Sequence, residues 1–319
     1  MNRMNVVACI ALFAAGIASA QNYPAKTVRI IVPYPAGGTS DILSRLLSPK
    51  LNEVFGQPIV VDNRPGANGN IGADMVAKSA PDGYTMLLAD LGALTISPSI
   101  YKLPFDPVRD LAPVTMVAYS PHLLAVHPSV PVKTVKELIA LARSKPGGLN
   151  FAVSSLGSAP HLAGVAFEAQ TGIKWTYIPY KGGADAIIGL ASGQADAIFN
   201  GMLATYPHVR SGKLKLLAVS SAKRLTAIPE VPTVAEAGLK DFETGSWQGV
   251  VAAAGTPKEI IGRLNTEIVK IFSSAEMKEN LTKQGAEVYP MTPEQLGNWL
   301  KKEIDKWAKI VKAANLKLE

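Results

Sequence analysis

Cysteine is all but missing from this chain of 319 residues: there is one, Cys9. It lies in an opening segment, MNRMNVVACIALFAAGIASA, in which Arg3 precedes an uncharged stretch ending in Ala18-Ser19-Ala20. A basic start, an apolar centre of about 13 residues and an A-x-A ending are the marks of a cleavable secretory leader, and the centre is too short to span a bilayer comfortably. Cys9 sits near the start of that apolar run, where a lipoprotein cysteine would end it. The expected mature chain begins at Gln21 in the periplasm and contains no cysteine. That excludes disulfides, thiolate zinc sites and cysteine nucleophiles together. Charge is sparse, at 18% of residues against 48% hydrophobic, which excludes a disordered chain. Long apolar runs are missing after the leader, so a soluble protein is expected.

Catalytic and nucleic-acid signatures are equally scarce. There is no G-x-S-x-G elbow and no H-E-x-x-H, and the four histidines have no metal-ligand spacing. His122 and His127 flank a short apolar run and read as surface or strand-end residues. His161, close to Ser154 and Ser155, invites a Ser–His pairing, but at a helix start it reads better as a partner of the neighbouring loop. Asp185 and Asp196 have no spacing that would bring them together. The formal net charge of +7 would suit nucleic acid, yet the basic residues are scattered and no helix-turn-helix, zinc finger or aromatic platform accompanies them.

What is present is an alternation of short apolar runs and amphipathic segments. Strands are expected over 27–34, 58–62, 85–89, 114–119, 123–126, 149–154, 175–180, 195–200, 214–220 and 249–253. Helices are expected over 40–54, 71–79, 135–144, 160–171, 184–192, 203–211, 257–273, 275–285 and 293–315. Such alternation means βαβ units and a mostly parallel sheet. Capping boxes mark three helix starts, at Thr134–Glu137, Thr256–Glu259 and Thr292–Gln295. The last helix carries Leu296, Trp299, Leu300, Ile304, Trp307, Ile310 and Val311 on one stripe, read as a packing face.

Three strand-to-helix turns look chemical. Val32-Pro-Tyr-Pro-Ala-Gly-Gly-Thr-Ser-Asp41 runs from a strand through glycines into a helix start. Ala152-Val-Ser-Ser-Leu-Gly-Ser-Ala-Pro-His-Leu162 and Tyr177-Ile-Pro-Tyr-Lys-Gly-Gly-Ala-Asp185 repeat the arrangement about 120 residues later. Glycines let backbone N–H groups approach a ligand, and a helix N-terminus carries partial positive charge, so each turn suits a carboxylate or phosphate. No Walker lysine follows the first turn, and G-x-G-x-x-G does not fit it. Each taken alone is equally an ordinary βα turn; three of them suggest two lobes facing across a cleft.

The runs PYPAGGTSDILSRLL, VDNRPGANGNIGADMVAKSAPDGYTMLL, SSLGSAPHLAG, PYKGGADAIIGLASGQADAIF, SAKRLTAIPEVPTVAEAG and SWQGVVAAAGTP, in this order, resemble the extracytoplasmic solute receptors of the tripartite tricarboxylate transporter family, the Bug proteins. The resemblance spans nearly the whole mature chain. It implies an α/β periplasmic binding protein of type II, the Venus-flytrap kind, with a ligand held between two lobes. The implied lobes are residues 22–122 with 248–319, and 123–247, joined by crossings near Ser120–Ala125 and Gly245–Val250. It further implies a small di-, tri- or aromatic carboxylate as ligand, a membrane permease as partner, a monomer, and no cofactor, metal or bond-breaking step. Ligand-sensing through a sensor-kinase ectodomain is the alternative role, and a periplasmic hydrolase the remoter one.

Carried over residue by residue, the resemblance places Tyr34, Ala36, Gly37, Gly38 and Thr39 of the first lobe at the ligand. From the second lobe it places Ser154, Ser155, Gly157, Ser158, His161, Tyr180, Lys181 and Gly182 there. Trp247 would border the cleft or equally be core, and Asp41 reads as a helix-start residue. Asn200 departs from the acidic residue common in relatives, which favours a second carboxylate over an amine if Asn200 faces the cleft. Leu88-Ala-Asp-Leu-Gly-Ala93 also departs from the family pattern, so ligand identity does not transfer.

Overall fold

The computed structural model describes residues 23–145 and 147–313; the expected leader, residues 1–20, lies outside them. The chain opens with three parallel strands, β1 (Val28–Val32), β2 (Ile59–Asn63) and β3 (Thr85–Asp90). Helices α1 (Thr39–Phe55) and α2 (Asn70–Ala77) connect them, and α3 (Leu91–Ile100) follows β3. Strand β4 (Leu111–Val126) then leads into a second parallel set, β5 (Leu149–Val153), β6 (Trp175–Pro179) and β7 (Ala197–Gly201). Helices α4 (Val135–Ser144), α5 (Ala159–Thr171), α6 (Gly183–Ala191) and α7 (Met202–Arg210) alternate with these strands, and β8 (Lys215–Val219) ends the set. Strand β9 (Gly245–Ala253) returns to the first set, followed by α8 (Lys258–Phe272), α9 (Ala275–Lys283), β10 (Glu287–Val288) and α10 (Pro293–Ala313).

The two sheets share β4. Its residues 111–121 pair antiparallel with β9, whereas His122–Val126 pair antiparallel with β7 on one side and β8 on the other. The first sheet therefore runs β2-β1-β3-β9-β4-β10 and the second β6-β5-β7-β4-β8. Each lobe keeps a parallel triplet, and the strands that cross between lobes add antiparallel pairs. Two separate strands were expected over 114–119 and 123–126, because Pro121 interrupts the apolar run. The structure joins them: Pro121 has no N–H to give and stands where β4 exchanges one set of partners for the other.

The other departures have local causes. Helix α3 was not expected, because Leu91–Ser97 are all buried and no polar face is left to give a 3.6-residue period. The box at Thr292 forms fully: Gln295 N–H donates to Thr292 Oγ1 at 3.2 Å and Thr292 N–H to Gln295 Oε1 at 2.9 Å. The one expected at Thr256 does not form, since that hydroxyl donates to the Ala253 carbonyl at 2.7 Å. Along α10, Leu296, Leu300 and Val311 are buried, but Ile310 is 40% exposed, so the stripe is core over only part of its length.

Each lobe has its own core. The first packs Ile30, Val32, Leu43, Leu47 and Met86 against Leu264, Ile268 and Phe272 of α8. The second centres on Phe151, stacked near Trp175 (4.8 Å) and Phe199 (5.9 Å) with Phe167 alongside. Phe151→Ala is expected to cost about 3–5 kcal/mol in denaturant unfolding, as large-to-small changes at fully buried aromatics do.

His122 corrects the surface reading of the sequence. It is fully buried in β4, with Nδ1 3.1 Å from Thr244 Oγ1 and Nε2 3.3 Å from Ser246 Oγ. Burial without an acidic partner pushes its pKa down to about 3. A depressed histidine contributes stability above its unfolded pKa, near 6.5, and that stability is lost as pH falls towards the folded value. His122→Gln should therefore flatten the loss of melting temperature between pH 6.5 and pH 4.

Candidate functional site

Six loops open at the carboxyl ends of strands and meet between the lobes. Tyr34, Gly38, Thr39 and Ser40 come from the β1–α1 turn, and Asn68 from the short turn before α2. The β3–α3 junction supplies Asp90 and Ala93. The facing lobe supplies Ser154, Ser158, Ala159 and Pro160 at α5, Gly183 at α6 and Asn200 at the end of β7. Ser246 and Gln248 of the returning strand close the floor.

The β1–α1 turn is built to leave donors free. Gly37 takes φ +86°, a region closed to most side chains, and lets the chain turn directly into α1. Asp41 does not face a ligand. It accepts from Gly37 N–H (2.9 Å), Arg45 Nε (3.0 Å) and Asn63 Nδ2 (3.0 Å), which ties the loop to β2 and keeps its own pKa low. Gly38, the residue before α1, offers no side-chain cap, so the first N–H groups of the helix point towards the cleft without an internal acceptor. Helix α6 likewise starts after an uncapped glycine, Gly182. Ser40 donates to Gln248 Oε1 at 2.6 Å, fixing the helix start to β9.

In the second lobe, Ser158 caps α5 by accepting from His161 N–H at 3.3 Å while its own hydroxyl donates to the Ser155 carbonyl at 2.7 Å. Asn200, 6% exposed, donates through Nδ2 to Thr205 Oγ1 at 3.2 Å and faces the cleft beside Gly183. A Cβ on Gly183 would come within 2.8 Å of Asn200 Oδ1, so that glycine makes room for the amide.

Of the residues anticipated from sequence, Tyr34, Gly38, Thr39, Ser154, Ser158 and Asn200 line the cleft. Ala36 and Gly37 lie on the exposed shoulder of the first turn. Ser155 and Gly157 bond to Asn68 across the lobes. His161 is buried against Tyr177, and its Nδ1 accepts from Gly157 N–H at 3.1 Å, so it holds the loop and pairs with neither serine. Its pKa is pushed down to about 4 by burial. Tyr180 turns away to Gln194 at 3.3 Å, Lys181 is exposed, and Gly182 packs under Pro35. Trp247 stacks on Tyr119 at 4.3 Å and against Trp299 at 5.8 Å, taking the packing role. Sequence reasoning missed Ser40, Asn68, Ser246 and Gln248 as site residues: all four lie within the runs that carry the family resemblance, but those runs do not say which of their side chains turn into the cleft.

The electrostatics are unusual for an anion site. Among the described residues no Lys or Arg lines the cleft; its positive potential comes from helix N-termini and N–H groups. Asp90 lines it too. This carboxylate caps α3, accepting from Gly92 N–H at 2.9 Å, with Ser246 and the Trp247 N–H as further donors. Although Asp90 keeps some accessible surface, the protein surrounds it closely enough that desolvation outweighs those bonds and raises its pKa to about 6. Tyr34, partly buried beside that carboxylate, is held far above its ordinary range by desolvation.

The lobes touch directly. A Cβ on Gly182 would collide with Pro35 Cδ, and one on Gly201 would lie 2.8 Å from Thr39 Oγ1, so both glycines are required by close approach across the cleft. Asn68 Nδ2 donates to the Gly157 carbonyl at 3.3 Å, and Tyr101 Oη to the Leu156 carbonyl at 2.6 Å. A larger groove, about 780 Å³, lies beside the hinge between α5 and α10, walled by Trp247, Trp299, Trp307 and Ile310. Its walls are mainly apolar, whereas the uncapped helix starts and buried polar groups converge on the cleft, which is the better candidate site.

Comparison with known proteins gives the family and the fold. Residues 43–316 match the model of the tripartite tricarboxylate transporter family receptor. The chain belongs to that family. It is 40% identical to the protein BugT of Bordetella pertussis over the whole of both chains. It superposes with a TM-score of 0.90 on an R. palustris protein solved with adipate, at 38% identity, covering 92% of this chain and 99% of the other. MatC of Rhodopseudomonas palustris, solved with malate, gives a TM-score of 0.85 at 31% identity, covering 91% of this chain and 100% of that one. The chain is thus a two-lobed solute receptor and not an enzyme.

The contacts across this receptor's cleft predict its shape in solution. Asn68→Gly with Tyr101→Phe removes three interlobe hydrogen bonds while tolerating the positive φ of residue 68. At about 1 kcal/mol each, their loss should favour separated lobes. Small-angle scattering of the ligand-free double variant should give a larger radius of gyration than the parent.

Proposed function

We propose that this receptor captures a small carboxylate in the interlobe cleft in the periplasm and delivers it to a tripartite tricarboxylate-type membrane permease. One observation carries the reading: two uncapped helix N-termini, of α1 and α6, face each other across the cleft with the hydroxyls of Thr39, Ser154 and Ser158 between them. Each end places unpaired N–H groups and partial positive charge where a carboxylate needs donors. The adipate and malate of the two related structures belong to the same ligand class.

The lobes are taken as residues 22–122 with 248–319, and 123–247, and the leader as residues 1–20. The hinge then falls where β4 changes partners and where Thr244–Ser246 return. Ligand would enter with the lobes apart; closure brings Pro35 onto Gly182 and Thr39 onto Gly201. Water leaves, and the amide dipoles act in a medium of lower effective dielectric, where they bind an anion more strongly. No bond is broken. The closed face, spanning both lobes, is the surface a permease would read, and the receptor acts as a monomer.

Asn200 bears on ligand choice. As a neutral amide it accepts from and donates to a ligand without repelling a second carboxylate. The expected ligands are C4–C6 dicarboxylates or aromatic carboxylates. A thermal-shift panel on the mature protein checks this: a ligand at 100 times its Kd should stabilise by about 2.7 kcal/mol, a rise of a few degrees. A flat response to every carboxylate would count against the reading. Ser154→Ala with Thr39→Ala should diminish any shift while leaving the unliganded melting point within about 2 °C of the parent.

A further inference from the structure

We propose that Asp90 makes carboxylate binding by this receptor a proton-coupled event: the cleft takes up a proton on Asp90 together with the anion. The inference rests on the carboxylate reading of the cleft and deepens it.

The geometry leaves little alternative for a bound anion. Among the described residues that line the cleft only Asp90 and Tyr34 are ionisable, and none is cationic. An incoming carboxylate therefore shares the small closed space with one fixed carboxyl group and no fixed cation to offset it. Like charges at such separation raise each other's pKa, and the fixed group is the one already disposed to hold a proton. Burial has brought Asp90 to about 6 before any ligand arrives. A second negative charge carries it higher, so the liganded receptor keeps the proton that the free receptor releases near neutral pH.

The surroundings of Asp90 supply no other partner for that charge. From its own helix comes one backbone donor, Gly92 N–H at 2.9 Å. From β9 come the Ser246 hydroxyl and the Trp247 N–H, and from the β1–α1 turn the phenol of Tyr34. Ser246 in turn meets the ring of His122, which burial keeps neutral. Asp41 of α1 is already saturated by Arg45, Asn63 and Gly37. His161 of α5 is neutral and committed to Gly157. The departure from the family pattern at Leu88–Ala93 thus acquires a role: Asp90 is a specificity-determining residue that sets the charge a ligand must bring.

The linkage fixes the sign. Below pH 6 Asp90 is already protonated in the free receptor and adds no pH dependence of its own to the affinity. Above pH 6 each unit requires one more tenfold investment in protonating Asp90, so Kd rises up to tenfold per unit until the liganded pKa is reached. Asp90→Asn removes the titration while keeping the cap on α3, since an asparagine oxygen accepts from Gly92 N–H equally well.

Calorimetric titration tests this with adipate and with malate, at pH 5.5, 7 and 8, in buffers of contrasting ionisation heat. The expected result is proton uptake at pH 7 and 8, approaching one per ligand, and weaker binding at pH 8 than at pH 5.5. In Asp90→Asn both effects should vanish, and at pH 8 the variant should bind at least tenfold tighter than the parent. Binding without proton uptake, with the same Kd at all three pH values, overturns the coupling and leaves the carboxylate reading intact. Silence of both proteins toward both acids at every pH overturns the carboxylate reading and the coupling with it.

Discussion

The hydrogen bonds that β4 makes on either side of Pro121 hold this receptor together as one object with two halves. Residues 111–121 belong to the first sheet through β9, and residues 122–126 belong to the second through β7 and β8. Because a single strand spans the junction, the carboxyl ends of both parallel triplets are aimed at the same gap. Six loop ends that lie far apart in the chain then line one cleft. A shift of the β4–β9 register would displace Ser246 and Gln248 from the floor and Asp90 from the wall together, since Asp90 pairs with Gln248 and Ser120 with Ser246.

The cleft obtains its positive potential without a cationic side chain. Uncapped glycines before α1 and α6 leave backbone donors facing inward, and Asp41 is turned back to brace its own loop. Fixed N–H groups suit a receptor that must also release its ligand. They bind strongly only when closure excludes water, so affinity is tied to the position of the lobes. An exposed lysine such as Lys181 would attract anions in either state. Asp90 adds an opposing charge inside the same wall, making the protonation state of the cleft part of its selectivity.

The parallel triplets, most helices and two lobes were legible in the sequence, because alternating apolar runs and marked helix starts are local signals. The glycine turns and small-residue loops were legible for the same reason. Helix α3 was not, because burial on every side erased its period. His122 read as a strand-end residue, since nothing in Pro-His-Leu-Leu reveals that its strand continues through it or that Thr244 and Ser246 meet its ring. Tyr180 and Lys181 stood in a turn of the right kind, yet the phenol packs along α6 towards Gln194 and the ammonium faces solvent.

The scarcity of cysteine and of charge, the repeated glycine turns and the order of the family motifs determined the class of protein: a two-lobed α/β solute receptor with no catalytic apparatus. Those features are set by composition and by residues adjacent in the chain. The tertiary structure alone decided which members of each turn reach the cleft, that Asn68, Ser246 and Gln248 join them, and that Asp90 stands there without a cation. A side chain's direction and its desolvation depend on strand partners more than a hundred residues away, and a linear pattern does not record them.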